Sequence, residues 1–273
     1  EKLNEDKADI YLHGVEKIKN YIRDGDVFQV NYARTWRAQL KPGVSASEVY
    51  HRLCESNPAP FAGLIHWQDY AIISSSPERL VRVENNTVQT RPIAGTRPRS
   101  DDDTRDADMI SELLSHPKEI AEHIMLVDLE RNDLGRICVP GSIHVDEFVV
   151  PETYQHVHHI VSNIRGQLIA DCLPGDVIKA VFPGGTITGC PKVRCMEIIS
   201  ELEKTSRGCY TGSMGYINRN GDMDINILIR TLFKDHDKLT IKAGAGIVTD
   251  SIPEKELAET RAKAKGMLKA LCP

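Results

Sequence analysis

Short apolar runs separated by turn residues occur along the chain. This pattern predicts a fold built from antiparallel strands and helices. The run FQVNY alternates, which predicts a half-buried strand with Gln29 and Asn31 on one face. A tight turn such as Asn85-Asn86 between two runs predicts an antiparallel sheet in the first part of the chain. The other predicted strands are 61–66, 70–75, two short runs flanking Asn85-Asn86, 144–150, 154–169, 209–218, 224–233 and 239–248.

Helices are predicted at the start, in the middle and at the end of the chain. Apolar residues recur at helical spacing from Tyr11 to Ile22, so a first helix ends near Asp24. A closing helix begins at the capping-box pattern Ser251-Ile-Pro-Glu254 and continues to Leu271. The other predicted helices are 103–116, 117–131 with Pro117 at its first turn, and 192–203.

Composition excludes several classes of protein. Hydrophobic residues at 41% and charged residues at 27% are typical of a folded globular chain, and 273 residues fit one large core, so a single domain is expected. The net charge of −5 lacks the basic excess that nucleic-acid binding requires. There is no apolar run long enough to span a bilayer and no signal peptide, so we expect a cytoplasmic protein without a membrane role. Seven scattered cysteines without a CxxC pair predict neither a disulfide framework nor zinc.

Two glycine-containing stretches invite comparison with nucleotide-binding motifs. Gly184 and Gly189 have phosphate-loop spacing, but Cys190-Pro191 stands where Lys-Ser/Thr should follow, which argues against ATP binding. The stretch leaves the Thr186 hydroxyl beside flexible backbone, or it is a structural turn. Gly244-Ala-Gly246 lacks the third glycine of a dinucleotide fingerprint, so a kinked strand is the simpler interpretation.

Carboxylates share a face on two predicted helices. Glu119 and Glu122 are three residues apart, and Glu256, Glu259 and Lys263 follow at i, i+3 and i+7. Carboxylates from two helices could hold Mg²⁺, a hard cation that prefers oxygen ligands. Solvated helix faces are the competing interpretation, because helix surfaces are rich in such pairs.

Two further side chains need a chemical explanation. His159 lies among valines on a predicted strand, where it is either a hydrogen-bonded core histidine or a general acid or base. Arg230 falls within an apolar strand and is costly to bury unpaired, so it must meet an anion, either a structural carboxylate or that of a substrate.

Taken together, the motifs resemble the chorismate-utilising enzymes, which include component I of anthranilate synthase and of aminodeoxychorismate synthase. The resemblance covers nearly the whole chain, in family order. The motifs are GDVFQVNYA (25–33), SSPERL (75–80), RPIAGTRPR (91–99), KEIAEHIMLVDLERNDLGRI (118–137), FPGGTITGCPKVRCMEII (182–199), YTGSMGY (210–216), MDINILIRT (223–231) and AGAGIVTDSIPEKELAETRAKAKGML (243–268).

The resemblance implies an α+β fold, with two antiparallel β-sheets packed as a sandwich with flanking helices and chorismate held between them with Mg²⁺. By position, Glu122 and Glu259 match the metal ligands, and Glu119 and Glu256 support them. A metal between carboxylates allows an anionic substrate to approach them.

Other residues match positions around the substrate. Those that match carboxylate-binding positions are Tyr210, Arg230, Gly244, Gly246 and Lys263. Those that match positions around the ring are Gln29, Glu78, Thr96, His159 and Thr186, and Glu78 resembles the acid that protonates the departing C4 hydroxyl.

A few positions indicate which member of the family the chain resembles most. Relatives that add water carry a lysine base where Gln29 stands, so the resemblance implies ammonia as the nucleophile. The segments 29–31, 182–189 and 212–216 look more like aminodeoxychorismate synthase, whereas Ala94 is the residue usual in anthranilate synthase. We therefore expect 4-amino-4-deoxychorismate as product, with anthranilate plus pyruvate as the alternative and a non-catalytic chorismate-binding homologue as a third possibility.

The resemblance also implies a partner subunit, and family members usually have an additional N-terminal region. The chain shows no Cys-His-Glu glutaminase pattern, so ammonia is expected from a glutamine amidotransferase subunit. Nothing in the chain matches the N-terminal region usual in the family, which is expected to be absent.

Overall fold

The predicted strands pair into two sheets, and all pairs between described strands are antiparallel. The computed structural model describes residues 3–154 and 157–271. The strands are β1 (Asn4–Glu5), β2 (Gln29–Gln39), β3 (Phe61–Trp67), β4 (Tyr70–Ser76), β5 (Arg79–Glu84), β6 (Thr87–Thr90), β7 (Ile93–Pro98), β8 (His144–Thr153), β9 (Val157–Gln167), β10 (Gly189–Cys190), β11 (Gly215–Ile217), β12 (Met223–Asn226), β13 (Thr231–Asp235) and β14 (Lys238–Ile247). Residues 155 and 156 of the predicted strand 154–169 lie outside the described residues.

Helices account for most of the remaining regular structure. They are α1 (Ala8–Arg23), α2 (Ala46–Ser56), α3 (Asp103–Ser115), α4 (Pro117–Leu134), α5 (Pro174–Val181), α6 (Lys192–Glu203) and α7 (Pro253–Leu271), with a 3₁₀ turn at Gly185–Ile187. The predicted helix 192–203 is confirmed at both ends, and Pro117 opens α4 as expected.

The chain divides into two compact units. The first comprises the described residues up to Pro77, Ile187–Ser213 and those from Ile227 onwards. Its sheet has the order β1-β2-β14-β13-β4-β3, and β10 also pairs with β2. Helices α1 and α6 pack against β2 and β14 in one hydrophobic cluster, and α2 and α7 form a second cluster around Trp36 and Ile73. Burial of these apolar side chains is the main stabilising contribution.

The second unit comprises Glu78–Thr186 and Met214–Asn226. Its sheet has the order β11-β12-β5-β6-β9-β7, and β8 runs along β9. Helices α3 and α4 pack on β7 and β9, which bury Ile160 and Ile164 completely. The arrangement fixes the positions of side chains on β7, β9 and α4 relative to one another.

Strand β2 differs from the half-buried strand that the sequence predicts. It begins at Gln29 and continues to Gln39, and Phe28 precedes it with 67% of its surface exposed. Both Gln29 and Val30 are buried, at 3% and 0% exposure, because β2 is an inner strand covered on both faces. The alternation of apolar and polar residues in FQVNY therefore did not predict that both faces of the strand are buried.

Two predicted strands are shorter or interrupted. Of the strand predicted over 209–218, only Gly215–Ile217 forms, and Thr211 before it has a φ of +63°. The strand predicted over 224–233 is divided into β12 and β13, and Arg230, just before β13, has a φ of +53°. A left-handed residue cannot continue a strand, so these positions end the pairing.

The predicted capping box of the closing helix is wrong by one residue. Helix α7 begins at Pro253, so Ile252 precedes its first turn and Ser251 lies one position too early. The Ser251 hydroxyl instead accepts a hydrogen bond from the Val248 backbone N–H at 3.1 Å. Proline at the first helical position is favoured because it has no N–H to leave unpaired.

Asp106 ties helix α3 to the second sheet. Its carboxylate accepts hydrogen bonds from the Ser100 backbone N–H at 2.8 Å and from the Arg99 guanidinium at 2.9 Å, and it contacts His158 Nε2 at 2.9 Å. The opposite ring nitrogen of His158 lies 2.8 Å from the Thr153 hydroxyl. The backbone hydrogen bond from Ser100, Arg99 and His158 together hold the pKa of Asp106 well below its usual range.

Replacing Asp106 with Asn is expected to lower Tm by about 3 °C at pH 7, because it removes the charge that these donors stabilise. A carboxylate whose pKa is lowered on folding stabilises the native state above the ordinary value of 3.8, and this contribution is lost as the pH falls through the folded pKa. Thermal melts between pH 7 and pH 2 should therefore show the two proteins converging in acid. Asp108→Asn, on the same helix and exposed, is the matched control. A Tm difference independent of pH would contradict this account.

Candidate functional site

Gly244 presents bare backbone in the first unit. It lies on β14 opposite Ala33 of β2, and Gly246 lies opposite Asn31. A Cβ added at Gly244 would lie 2.7 Å from Asn31 Oδ1, 2.8 Å from the Tyr32 carbonyl oxygen and 3.0 Å from the Tyr210 hydroxyl. The position accepts only glycine, so polar groups approach the backbone closely. The glycines are thus part of a continuous strand rather than a kink.

Tyr210 lies directly over this bare backbone. The residue is 6% exposed, and the Arg207 guanidinium carbon lies 5.6 Å from its ring centre. Burial raises the pKa of Tyr210 to about 12, against the lowering effect of Arg207 and Arg230. The phenol is therefore a neutral hydrogen-bonding group at physiological pH.

Lys263 links helix α7 to the same strand. Its ammonium donates a hydrogen bond to the Gly244 carbonyl at 3.0 Å and pairs with Glu259 Oε1 at 2.6 Å. Glu256, one turn earlier, is half-buried, and Glu259 is exposed. Burial and the charges of Glu256 and Glu259 raise the pKa of Tyr11, so the α7 carboxylates face the first helix as well. The predicted face of Glu256, Glu259 and Lys263 forms.

Arg230 does not lie within a strand, which corrects the sequence prediction. It precedes β13 in the left-handed conformation, half-buried, and its carbonyl accepts a hydrogen bond from the Ser75 N–H at 3.1 Å. Its charge acts on Tyr210. The break in the strand therefore places a cation near the Tyr210 phenol.

Gln29 occupies the buried start of β2, opposite Cys190 of β10. Its carbonyl accepts a hydrogen bond from the Cys195 thiol at 3.1 Å, which fixes the backbone at this point. The side chain is a neutral amide that can donate and accept hydrogen bonds but cannot take up a proton at neutral pH.

His159 and Thr96 are partners in the second unit. They lie opposite each other on β9 and β7, and His159 Nδ1 is 3.0 Å from the Thr96 hydroxyl oxygen and 3.1 Å from the Gly95 carbonyl. A carbonyl only accepts, so Nδ1 carries the hydrogen in this bond. In the neutral ring, Nε2 then carries the lone pair and is the basic nitrogen.

Glu119 of α4 packs against the same segment. Its Oε1 accepts a hydrogen bond from Arg97 at 2.7 Å, whereas its buried Oε2 has no hydrogen-bond partner among the described residues. A Cβ added at Gly95 would collide with this Oε2. Glu122, three residues later on α4, is half-buried. The second unit thus gathers Glu119, Thr96 and His159 around Gly95.

Glu78 and Thr186 lie at the two ends of the longer segment of the second unit. Glu78 follows β4 and is 6% exposed. Thr186 lies half-buried in the 3₁₀ turn, where a Cβ added at the neighbouring Gly185 would be 2.5 Å from the Leu129 side chain. The glycine stretch therefore forms a structural turn, as the simpler interpretation of its sequence predicted, and this turn packs on α4.

Comparison with known proteins identifies the family. The family model for chorismate binding enzymes matches residues 2–269. The chain belongs to the chorismate-binding enzymes. It is 50% identical over 265 residues to an anthranilate synthase component I-like protein of Synechocystis, and 49% identical over 263 residues to aminodeoxychorismate synthase component 1 of Bacillus subtilis. Each alignment covers 96% of this chain but 54% and 56% of those proteins, so the chain spans about half of their length.

The predicted fold of this family member is confirmed. A crystal structure of anthranilate synthase component I from Streptococcus pneumoniae superposes with a TM-score of 0.90 at 38% identity. The match covers 97% of this chain and 59% of that one. Two antiparallel sheets with flanking helices are thus shared with that structure.

The carboxylates of the chain are chemically compatible with a magnesium ion that keeps other ligands. Within residues 3–154 and 157–271, no three His, Cys, Asp or Glu side chains are gathered to hold a metal by themselves. Mg²⁺ commonly uses one or two carboxylates together with waters and substrate oxygens. The buried, unpartnered Oε2 of Glu119 is an acceptor that a cation or its bound water would satisfy.

Sequence reasoning missed three residues at these sites. Asn31 was placed on the same face as Gln29 but was given no role, although its Oδ1 adjoins Gly244. Arg97 lies inside the motif RPIAGTRPR and binds Glu119, and Arg207 stacks on Tyr210. For Asn31 and Arg97 a position inside a motif was the available signal, whereas Arg207 lies outside the motifs. Only the structure shows which neighbour each one meets. None of the helices within the described ranges has the length and apolar character that crossing a bilayer requires.

Proposed function

We propose that this chain is the catalytic part of component I of an aminodeoxychorismate synthase. It replaces the C4 hydroxyl of chorismate with an amino group and forms 4-amino-4-deoxychorismate, a precursor of 4-aminobenzoate and folate. Ammonia forms the new C–N bond and loses a proton, the C4–O bond breaks, and the hydroxyl leaves as water. The observation that carries the choice of ammonia as nucleophile is the neutral, buried amide of Gln29, because it cannot deprotonate water as a lysine base would. The resemblance of segments 29–31, 182–189 and 212–216 to aminodeoxychorismate synthase supports amination at C4.

Cations and hydrogen-bond donors of the first unit suit a dianionic substrate. Lys263 is fixed beside Gly244 by its bond to the Gly244 carbonyl, and Arg230 carries a fork of donors that matches a carboxylate. The neutral Tyr210 phenol can donate a hydrogen bond, and the bare backbone of Gly244 and Gly246 leaves room for a ligand to approach. These groups bind and orient the two carboxylates of chorismate.

The second unit supplies proton handling. Glu78 is buried, and in this proposal its carboxyl donates the proton to the departing C4 hydroxyl. His159 is oriented by Gly95 and Thr96 so that Nε2 accepts a proton or a hydrogen bond. The Thr186 hydroxyl adds a donor beside the ring.

In this proposal Glu122 and Glu259 bind Mg²⁺, and Glu119 and Glu256 support them. The bound ion would neutralise the carboxylates toward an anionic substrate and polarise the substrate carboxylate. Ammonia comes from a glutamine amidotransferase subunit, and both act in the cytoplasm.

Anthranilate synthase is the second candidate, and Ala94 is the observation in its favour. Ala94 is 8% exposed on β7, opposite Ile160. Many aminodeoxychorismate synthases resemble this chain but carry lysine there as a covalent nucleophile, and alanine cannot form that adduct. The proposed route therefore requires amination without an enzyme-bound intermediate at this position. A non-catalytic homologue is disfavoured because the full set of charged site residues is retained.

Product analysis distinguishes these candidates. The purified chain is incubated with chorismate, Mg²⁺ and an ammonium salt, and products are separated with and without an added aminodeoxychorismate lyase. The proposal predicts 4-aminobenzoate only when the lyase is present. Anthranilate and pyruvate formed without the lyase would identify an anthranilate synthase. Thermal stabilisation by chorismate and Mg²⁺ without any product would identify a binding protein.

A further inference from the structure

Glu203 and Arg207 form a buried ion pair that the proposed chemistry does not use. Their side chains are 3% and 15% exposed, and the Arg207 guanidinium donates to both carboxylate oxygens, with its shortest contact at 2.6 Å. Burial disfavours the charge on Arg207, but the ion pair outweighs that effect and raises the pKa of Arg207. Arg207 is therefore charged, although burying an ion pair is costly unless every donor and acceptor is satisfied.

The pair covers an open stretch of the edge of β2. Strand β10 pairs with β2 at Gln29 and Val30, and β1 pairs with it at Trp36 and Arg37, which leaves an interval between them. In that interval the Asn31 carbonyl accepts a hydrogen bond from Arg207 at 2.8 Å, and the Ala33 N–H donates to Glu203 at 3.0 Å. The ion pair thus supplies the hydrogen bonds that a neighbouring strand would supply.

Arg207 also holds two other segments. One of its amino groups donates to the Ile187 carbonyl at 2.9 Å, and its guanidinium carbon lies 5.6 Å from the centre of the Tyr210 ring. Two of the residues that Arg207 contacts, Asn31 and Tyr210, also adjoin Gly244, the first through its side-chain amide and the second through its phenol. One guanidinium therefore contacts the backbone of Asn31 and Ile187 and the ring of Tyr210, and Asn31 and Tyr210 both belong to the first-unit site.

We propose that the Glu203–Arg207 pair is a positioning element, which fixes Tyr210 over Gly244 and so sets the affinity for a substrate carboxylate. The inference rests on the proposed function for the identity of that substrate. Arg207 acts through Tyr210 and does not touch the substrate. The planar fork is essential because a lysine ammonium at 207 could not hold Glu203, Asn31 and Ile187 at once.

The test is a double-mutant cycle with Arg207→Lys and Tyr210→Phe, with chorismate turnover measured at saturating Mg²⁺ and ammonium. Arg207→Lys is expected to raise KM for chorismate about tenfold and to change kcat less than twofold, because binding in the ground state and the transition state weakens equally. In the Tyr210→Phe background the same change should raise KM less than threefold. Equal effects in both backgrounds would overturn the proposal.

The matched control is Arg194→Lys. Arg194 also pairs with a carboxylate, Asp26 at 2.7 Å, and its guanidinium carbon lies 5.2 Å from the Tyr21 ring centre, but it is more exposed and adjoins none of the site residues described above. Its KM should stay within twofold of wild type. If Arg207→Lys does not fold, Glu203→Gln replaces it, since the neutral amide weakens the hold on Arg207 while keeping its shape; the same coupling to Tyr210 is expected.

A ligand-free readout separates this inference from the proposed function. Tyrosine labelled with ¹³C at Cζ gives a Tyr210 resonance that the Tyr210→Phe variant assigns. Arg207→Lys should shift or broaden that resonance, and Arg194→Lys should leave it unchanged. An unchanged Tyr210 resonance in Arg207→Lys overturns the positioning role. A wild-type chain that neither binds nor consumes chorismate overturns the proposed function, and the resonance then decides the positioning role by itself.

Discussion

Replacing Glu259 with Gln is expected to lower kcat/KM for chorismate about a thousandfold at millimolar Mg²⁺, because a charged metal ligand is lost. The fold should tolerate the change, since Glu259 is exposed and its pair with Lys263 is a helix-surface ion pair, a type that contributes about 0.3–0.5 kcal/mol. Tm should therefore fall by no more than about 2 °C. The measurement is initial rate against Mg²⁺ concentration.

The Mg²⁺ titration distinguishes two roles for Glu259. If it binds the metal, the Mg²⁺ concentration for half-maximal rate should rise at least tenfold, and activity should partly recover at high Mg²⁺. If it only orients Lys263, the rate should fall with an unchanged Mg²⁺ midpoint. Glu254→Gln, on the exposed first turn of α7, is the control and should behave as wild type. A wild-type rate for Glu259→Gln with an unchanged Mg²⁺ midpoint would contradict the metal assignment.

Replacing Gly244 with Ala is expected to lower kcat/KM for chorismate by a factor of about 10² to 10³. The new methyl group would lie 2.8 Å from the Tyr32 carbonyl, which is backbone and cannot turn away, and 3.0 Å from the Tyr210 hydroxyl. Relief of this contact must shift β14 from β2 or displace Tyr210, and overpacking of this kind costs roughly 1–3 kcal/mol. Rates and chemical denaturation are measured together, so that lost activity is compared only for folded protein.

Gly175→Ala is the matched control for this substitution. Gly175 lies in α5, where a Cβ would meet nothing within 4 Å, so alanine should stabilise the chain by about 0.5–1 kcal/mol through its higher helix propensity. Its kcat/KM should equal that of wild type. Gly244→Ala with an unchanged KM for chorismate would show that the substrate does not approach this strand.

Many elements were predictable from local pattern, helices α2 and α5 were not predicted, and two other errors have separate physical causes. Helix α6 was predicted at both ends because its apolar spacing is local. The breaks at Thr211 and Arg230 were missed because left-handed backbone at a residue other than glycine has no reliable sequence signal. The length of β2 was missed because its central residues are buried by partners far away in the chain.

The candidate site was predicted from motifs, whereas its internal contacts required the structure. Glu256, Glu259 and Lys263 follow from helix spacing, and the ion pair between Glu259 and Lys263 confirms that they share a face. Glu203 and Arg207 also have i, i+4 spacing, but helix α6 ends at Glu203 and Lys204 is left-handed, so their pair forms across a turn. Spacing alone could not show that this turn carries Arg207 to β2 and Tyr210.

The most direct test of the central claim is the ammonium dependence of chorismate consumption. The purified chain is supplied with chorismate and Mg²⁺, and substrate loss and products are followed with and without an ammonium salt. We predict that consumption requires ammonium and that the product contains the added nitrogen. Conversion of chorismate to isochorismate without ammonium would show that water is the nucleophile and would contradict the assignment based on Gln29.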